Sequence, residues 1–197
     1  MAAQVSARNL PEPGYDLVVG LGTTGFSCAR HLAAAGRRVV VCDSREQPPG
    51  RERLAMELPS VTCFAGPFAP ELFRAAGRVI LSPGLDPDLP AVTAAREAGI
   101  EIIGDIELFA RLADAPVVAV TGSNGKSTVT TLVAEMAASA GRRVRAGGNL
   151  GPAALDLLEE EAPDLYVLEL SSFQLDLCRS LRPVAAVVLN VSPDHLD

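Results

Sequence analysis

The stretch from Val117 to Thr131 (VVAVTGSNGKSTVTT) combines residue types that together bind phosphate. Its apolar start predicts a buried parallel strand, a glycine turn follows, and the residues after the turn begin a helix. The first N–H groups of a helix have no partner inside it, and the helix dipole adds positive potential there. We therefore predict an ATP site in this stretch. The residues predicted to form it are Gly122, Ser123, Asn124, Gly125, Lys126, Ser127 and Thr128.

Lys126 and Ser127 are the two side chains of this stretch that suit nucleotide chemistry best. A lysine here reaches the outer phosphates, and a serine hydroxyl suits a Mg²⁺ ligand position. The G-x-x-x-x-G-K-[ST] pattern is incomplete, because Val120 stands at its first glycine. The alternative is an ordinary tight turn between strand and helix. We favour phosphate binding, because a strand and a helix flank the loop and a lysine would be an unusual choice in a structural turn.

Polar side chains also follow the ends of later predicted strands, at Asn149, Glu169 and His195. Open parallel α/β sheets bind ligands at the carboxyl ends of their strands, so these side chains and Lys126 could share one crevice. An unpaired Glu169 carboxylate after an apolar strand would be costly. We therefore prefer Mg²⁺ ligation by Glu169 with Ser127 over a structural ion pair. A lone histidine is more often structural, so the pattern alone gives His195 no metal role.

A second nucleotide signal lies near the start of the chain. A strand predicted at 15–21 runs into the glycine pattern Gly20–Gly25 (GLGTTG), a helix is predicted at 26–35, and a strand at 38–42 ends beside Asp43. This β-α-β unit with an acidic residue after its second strand is typical of a Rossmann-like half. NAD, FAD and sugar nucleotide diphosphates all fit such a turn. A glycine turn without a ligand remains the alternative.

The remaining pattern predicts an α/β protein of two domains. Pro116 disfavours a helix at the residue before it, so the boundary is placed between residues 1–114 and 115–197. Further strands are predicted at 61–65, 78–81, 100–103, 144–146, 165–170 and 184–189, and helices at 70–76, 90–98, 104–112 and 153–161, while 44–60 is expected to be loop or short helix.

Composition narrows the function classes. The chain of 197 residues is 48% hydrophobic, enough for a packed core. A net charge of −7 and a pI of about 4.9 argue against a nucleic-acid partner, which needs a basic surface. The sequence has no run long enough for a membrane span and no signal-peptide pattern at its start, so we expect no membrane partner and a cytoplasmic location. The four cysteines form no C-x-x-C pair and are expected to be reduced.

From Leu17 to its last residue the chain resembles the Mur ligase family. That family lacks the first glycine of the phosphate-loop pattern, so Val120 fits it. The motifs TGSNGKST and LSSFQ point to the member that adds D-glutamate. The resemblance rests on Gly20-Leu21-Gly22 with Thr24-Gly25, Asp43-Ser44-Arg45, Ser82-Pro83-Gly84, Gly104 to Phe109, Thr121 to Thr131, Gly147-Gly148-Asn149, Leu168 to Leu175, and Asn190-Val191 with Asp194 to Asp197.

The resemblance implies an ATP-dependent amide ligase of peptidoglycan precursor synthesis. ATP would phosphorylate the carboxylate of UDP-N-acetylmuramoyl-L-alanine, and the amine of D-glutamate would then attack the acyl phosphate. Lys126 would hold the ATP phosphates, Ser127 and Glu169 one Mg²⁺, and His195 a second Mg²⁺. The residues implied for the UDP-linked substrate are Thr23, Thr24, Ser44, Arg45, Ser82, Pro83, Gly84 and Asn149.

The resemblance also sets the expected extent and state of the protein. The chain ends at Asp197, before the carbamylated lysine and the carboxy-terminal domain of the family, so the central domain is expected to be truncated. We expect these residues alone not to turn over, and the full-length enzyme to be a monomer. Two rivals remain: a nicotinamide-dependent oxidoreductase that uses Gly20–Gly25 and Asp43, and a non-catalytic nucleotide-binding module.

Overall fold

The computed structural model describes residues 10–158 and 161–192, and His195 lies outside them. The chain divides into two compact units between Asp105 and Ile106. Both are α/β units built on parallel sheets, as the sequence predicts. Within the described residues, no helix combines the length and the apolar character needed to cross a membrane.

The first unit contains a five-stranded parallel sheet with the strand order β3-β2-β1-β4-β5. The order reverses between β1 and β4, which is the position where open α/β sheets bind nucleotides. The strands are β1 (Tyr15–Val19), β2 (Val39–Asp43), β3 (Thr62–Ala65), β4 (Ala76–Leu81) and β5 (Glu101–Ile103), and the helices are α1 (Thr23–Ala34), α2 (Arg51–Glu57), α3 (Pro70–Arg74) and α4 (Pro90–Glu97).

The second unit contains a four-stranded parallel sheet with the order β7-β8-β6-β9. The phosphate-loop strand β6 therefore lies between β8 and β9, and the ends of these strands frame the loop that follows it. The strands are β6 (Val117–Thr121), β7 (Val144–Gly148), β8 (Leu165–Glu169) and β9 (Ala185–Val188), and the helices are α5 (Asp105–Ala110), α6 (Lys126–Ser139) and α7 (Ser172–Asp176).

Two local predictions differ from the structure. The helix predicted at 153–161 is a single 3-10 turn, Ala154–Leu157, and residues 159 and 160 lie outside the described residues. The Leu157 carbonyl accepts a hydrogen bond from the Arg145 guanidinium at 2.8 Å, so a tertiary contact takes an acceptor that a longer helix would use. Conversely, α7 was not predicted, although its capping box of Ser171 and Gln174 is visible in the sequence.

Helix α5 belongs to the second unit because a buried carboxylate ties it there. Glu107 accepts hydrogen bonds from the backbone N–H groups of Arg179 at 2.6 Å and Ser180 at 2.7 Å. Phe109 on the same helix packs edge-on against Tyr166 of β8, with ring centroids 5.1 Å apart. The two compact units thus divide at the first residue of α5, between Asp105 and Ile106, and the domain boundary at 114/115 stays a prediction.

Glu107 makes the stability of the second unit depend on pH. Burial alone would raise its pKa, but hydrogen bonds from the Ser180 hydroxyl, two backbone N–H groups and Arg111 lower the pKa from 4.5 to about 2. A carboxyl whose pKa falls on folding stabilises the folded state above its unfolded pKa, and this is lost as pH falls from 4.5 towards 2.

We expect Glu107→Gln to lower the free energy of unfolding by about 3 kcal/mol at pH 7, and by progressively less below pH 4.5. Urea unfolding across this pH range measures the difference. Glu12→Gln is the control, because the Glu12 side chain is 93% exposed and its loss should change stability by less than about 0.5 kcal/mol. A pH-independent difference would contradict the assignment to the Glu107 charge.

Candidate nucleotide-binding sites

The first unit has a cleft of about 290 Å³ at the carboxyl ends of β1, β2 and β4. The glycine turn after β1 supplies one wall, and α1 begins there at Thr23. Seven residues that the sequence analysis assigned to the UDP-linked substrate line this one cleft, although they come from three separate loops. They are Thr23, Thr24, Ser44, Arg45, Ser82, Pro83 and Gly84.

Asp43 at the end of β2 holds Arg45 at the mouth of this cleft. Arg45 donates from Nε to Oδ1 at 2.8 Å and from Nη2 to Oδ2 at 2.6 Å, and Leu21 N–H donates to Oδ2 at 2.7 Å. Burial alone would raise the pKa of the Asp43 carboxyl, but the Arg45 side chain and the backbone N–H groups of Arg45 and Leu21 lower it. The Asp43 carboxylate therefore stays charged and holds the Arg45 guanidinium in place.

This arrangement bears on the oxidoreductase alternative. In that reading the Asp43 carboxylate would accept hydrogen bonds from a ribose hydroxyl. Both of its oxygens already accept hydrogen bonds from Arg45 and Leu21. The Arg45 side chain, by contrast, is 54% exposed at the cleft. The cleft thus presents a guanidinium to its ligand, which favours an anionic or carbonyl-rich group over a plain NAD ribose.

The second unit has a cleft of about 400 Å³ between the phosphate loop, the start of α7 and the chain that follows β9. Lys126 lines it and is the only lysine in the sequence. Its Nζ donates to the carbonyl oxygens of Gly122 at 2.8 Å and Ser123 at 3.1 Å. The ammonium group is therefore part-buried over its own loop, at the wall of the cleft.

The start of α6 offers backbone donors beside this cleft. The N-cap residue is Gly125, with φ of +83°. Because glycine has no side chain, the helix start has no side-chain capping hydrogen bond from this position. Ser127 and Thr128 in the first turn are exposed, as is Asn124 in the loop. Because no N-cap side chain takes the first N–H groups of the helix, they can donate to an anion. The start of α6 thus offers backbone donors of the kind that a phosphate group needs.

Glu169 ends β8 next to the phosphate-loop strand, because it pairs with Val120 on β6 and with Gly148 on β7. Its side chain is 2% exposed. Oε1 accepts a hydrogen bond from Asn149 Nδ2 at 2.7 Å, and the Asn149 N–H donates to the Glu169 carbonyl at 2.8 Å. Oε2 is buried and has no hydrogen-bond partner among the described residues.

A buried carboxylate oxygen without a donor is costly, and a cation removes that cost. The donor set at Glu169 therefore fits Mg²⁺, which takes oxygen ligands and binds through one or two carboxylates together with phosphates and water. In the described parts of the chain, no group of three or more His, Cys, Asp and Glu side chains could hold a metal by itself. Among the described residues, a metal at Glu169 would thus also need ligands of other kinds, such as hydroxyl, phosphate and water oxygens.

The second cleft also contains residues that the sequence analysis did not assign to a site. Ser171 and Ser172 line it from the start of α7, and Asn190 lines it from the chain after β9. The capping box indicates the first two, since it places the N-cap of a helix two residues after Glu169. Nothing in the local sequence around Asn190 indicates that it contacts the phosphate loop.

Two family models match the chain. Residues 15–104 match the Mur ligase MurD-like N-terminal domain, and residues 120–197 match the Mur ligase middle domain. The chain belongs to the Mur ligase family. The recognition made from the motifs is thereby confirmed.

D-glutamate ligases are among the relatives that match over most of the chain. UDP-N-acetylmuramoylalanine–D-glutamate ligase of Marinobacter nauticus is 55% identical over 181 residues, and that of Nitrosococcus oceani is 53% identical over 181 residues. Each alignment covers 92% of this chain and 40% of the relative. The chain thus spans about two fifths of the length of these relatives.

Solved structures share the fold at low sequence identity. A UDP-N-acetylmuramate:L-alanyl-gamma-D-glutamyl-meso-diaminopimelate ligase from Neisseria meningitides aligns with a TM-score of 0.57 at 20% identity, covering 94% of this chain and 63% of that one. A UDP-N-acetylmuramate-alanine ligase from Thermotoga maritima aligns with a TM-score of 0.55 at 21% identity, covering 92% of this chain and 42% of that one.

Proposed function

We propose that this chain carries the UDP-substrate site and the ATP-phosphate site of a UDP-N-acetylmuramoylalanine–D-glutamate ligase. The observation that carries the proposal is the second-unit site. There Lys126, the only lysine in the sequence, follows the glycine loop after β6. Strand β6 pairs with β8, which ends in Glu169. The Glu169 carboxylate is buried, and its Oε2 has no hydrogen-bond partner among the described residues. The high identity to D-glutamate ligases supports the choice of substrates.

In the first unit, the start of α1 and the hydroxyls of Thr23 and Thr24 would bind the diphosphate of the UDP-linked substrate. The helix dipole and the bare N–H groups at the helix start suit that anion. Ser44 and Arg45 would bind the uracil end, where Asp43 holds the guanidinium in place. Residues 82–84 close the same cleft.

In the second unit, residues 122–128 would hold the ATP phosphates, with the Lys126 ammonium and the N–H groups from Gly125 to Thr128 as the donors. Lys126 would exchange its two loop carbonyls for phosphate oxygens, which are stronger acceptors. Glu169 and Ser127 would hold one Mg²⁺, and His195 a second. Bound Mg²⁺ would spread the charge of the approaching anions. Asn149, a proposed substrate contact, also fixes the Glu169 carboxylate.

The reaction proposed here is the one that the resemblance to D-glutamate ligases implies. A carboxylate oxygen of UDP-N-acetylmuramoyl-L-alanine attacks the γ-phosphorus of ATP, and the bond to ADP breaks to leave an acyl phosphate. The amine of D-glutamate then attacks the acyl carbon, the bond from that carbon to the phosphate oxygen breaks with its electron pair on phosphate, and the nitrogen releases one proton to solvent as the amide forms. Phosphoryl transfer of this kind needs positioning and charge stabilisation, with little covalent chemistry from the protein. The proposal includes a monomeric full-length enzyme that works in the cytoplasm, where ATP is available.

Calorimetric titration with UDP-N-acetylmuramoyl-L-alanine tests the substrate site. We expect saturable binding by this chain, and about 10-fold weaker binding by Arg45→Ala, because a half-exposed guanidinium contributes part of the 1.5–3 kcal/mol of a charge-assisted hydrogen bond. Arg96→Ala is the matched control, since its side chain is 49% exposed, close to the 54% of Arg45, and lies outside the cleft.

Two outcomes would contradict the proposal. One is equal affinity of the Arg45→Ala and Arg96→Ala variants. The other is saturable binding of NADH, followed by its fluorescence, by a chain that does not bind the UDP-linked substrate. Binding of both the UDP-linked substrate and ATP would favour the ligase over a module with a single nucleotide site.

A further inference from the structure

The chain that follows β9 continues alongside the phosphate loop beyond the end of the sheet. Leu189 N–H donates to the Thr121 carbonyl at 2.9 Å, and Ser123 N–H donates to the Asn190 carbonyl at 3.1 Å. The parallel pairing of β6 and β9 thus extends by one step into the glycine loop. The loop is therefore held by a neighbouring strand as well as by its own ends.

The side chain of Asn190 completes this contact. Its Oδ1 accepts from the Asn124 N–H at 2.8 Å, and its Nδ2 donates to the Asn124 carbonyl at 2.9 Å. A carboxamide that bonds both polar groups of one residue's backbone fixes the position and orientation of that backbone. Asn124 directly precedes Gly125, the N-cap of α6. What holds Asn124 therefore also sets the direction in which the first helical N–H groups point.

Gly122 shows how closely the two chains approach. Its φ is +136°, and a Cβ placed there would lie 3.0 Å from the Asn190 carbonyl oxygen and 3.1 Å from the Asn190 nitrogen. A side chain at this position would push the Asn190 stretch away from the loop. Glycine at this position thus allows the close contact as well as the backbone conformation.

The contact divides the loop into two parts. The N–H groups of Ser123 and Asn124 already donate hydrogen bonds to Asn190, so they are not available to a ligand. The N–H groups that begin α6, from Gly125 to Thr128, have no acceptor within the helix. We propose that Asn190 is a positioning residue: by clamping Asn124 it directs the N–H groups of Gly125 to Thr128 at the phosphates of the bound nucleotide. This inference rests on the proposed function.

The test compares nucleotide affinities of the wild type and Asn190→Ala in the whole chain, using ATP, ADP and adenosine as the probes. We expect ATP and ADP to bind Asn190→Ala about 10-fold more weakly, from the loss of two neutral hydrogen bonds that order the loop. Adenosine affinity should stay unchanged, because adenosine has no phosphate for the loop to hold. A merely structural role would weaken all three ligands together, or would lower the melting temperature without any dependence on phosphate.

Val184→Ala is the matched control, because Val184 is 68% exposed and lies at the opposite end of β9 from Asn190. It should leave all three affinities unchanged. Equal ATP affinity of Asn190→Ala and wild type would overturn the inference, as would an equal loss for ATP and adenosine. If Asn190→Ala does not fold, Asn190→Thr, which suits an extended chain, replaces it.

A second readout separates this inference from the proposed function. The amide resonances of Gly125 and Lys126 in the nucleotide-free protein should shift in Asn190→Ala and stay in place in Val184→Ala. If the wild type binds no nucleotide, the proposed function fails, and these resonances still test the clamp. Unchanged Gly125 and Lys126 resonances in Asn190→Ala would overturn the inference whatever the nucleotide result.

Discussion

Replacing Gly25 by alanine is expected to destabilise the first unit by about 3–5 kcal/mol and to abolish binding of the UDP-linked substrate. A Cβ at this position would lie 1.9 Å from the Gly20 carbonyl oxygen and 2.9 Å from the Gly20 carbonyl carbon. Gly→Ala inside a helix ordinarily stabilises it by about 0.5–1 kcal/mol. The clash with rigid backbone outweighs this gain, because neither group can move without displacing the turn between β1 and α1.

Gly22→Ala provides the matched comparison for stability. A Cβ at Gly22 would meet nothing within 4 Å, and its φ of −87° suits an L-residue. Because alanine is a poorer N-cap than glycine, we expect a loss of less than about 1 kcal/mol. Urea unfolding followed by circular dichroism measures both variants. Equal stability of Gly25→Ala and Gly22→Ala would contradict the packing described for the glycine turn.

Lys126→Met is expected to weaken ATP binding by about 100-fold. The variant keeps most of the side-chain volume and removes the ammonium group that lies at the cleft wall. A hydrogen bond to a charged group contributes about 1.5–3 kcal/mol, and about 2.7 kcal/mol corresponds to a 100-fold change in affinity. Affinity is measured by titration with a fluorescent ATP analogue. The UDP-linked substrate, bound in the first unit, should keep its affinity.

Arg142→Met controls for the loss of one positive charge from the second unit. Arg142 is exposed and lies beyond the last residue of α6, at the other end of that helix from the loop. General electrostatic attraction would weaken ATP binding equally in both variants. A loss confined to Lys126→Met indicates direct contact with the phosphates. Unchanged ATP affinity in Lys126→Met would remove the lysine from the site.

The sequence predicts those parts of the site that depend on local pattern and on topology. The glycine turn after β1 and the loop after β6 are local patterns, and parallel sheets place the ends of neighbouring strands together. Thr23 and Ser82 come to the substrate site from the family resemblance, and the adjacency of β1 and β4 explains why they line one cleft. The contact between Asn149 and Glu169 follows from the same rule, because β7 and β8 are adjacent.

The parts that could not be predicted depend on long-range side-chain contacts. Two partners of Glu107, Arg179 and Ser180, are 72 and 73 residues away, and Asn190 bonds Asn124 from 66 residues away. Hydrophobic periodicity carries no information about such pairs. In the 153–161 segment the local pattern predicts a helix, but the structure has only the 3-10 turn Ala154–Leu157. The Leu157 carbonyl there accepts a hydrogen bond from Arg145 on β7, a contact that the local pattern does not contain.

In the proposed function, the Lys126 ammonium binds the phosphates of ATP beside the glycine loop. Because Lys126 is the only lysine, protein labelled with ¹³C at the lysine ε-carbon gives one ε-methylene resonance. We predict that this resonance shifts saturably on titration with ATP and with inorganic triphosphate, and does not shift with adenosine. ATP binding, established by calorimetry on the same sample, that leaves the resonance unmoved would contradict the claim.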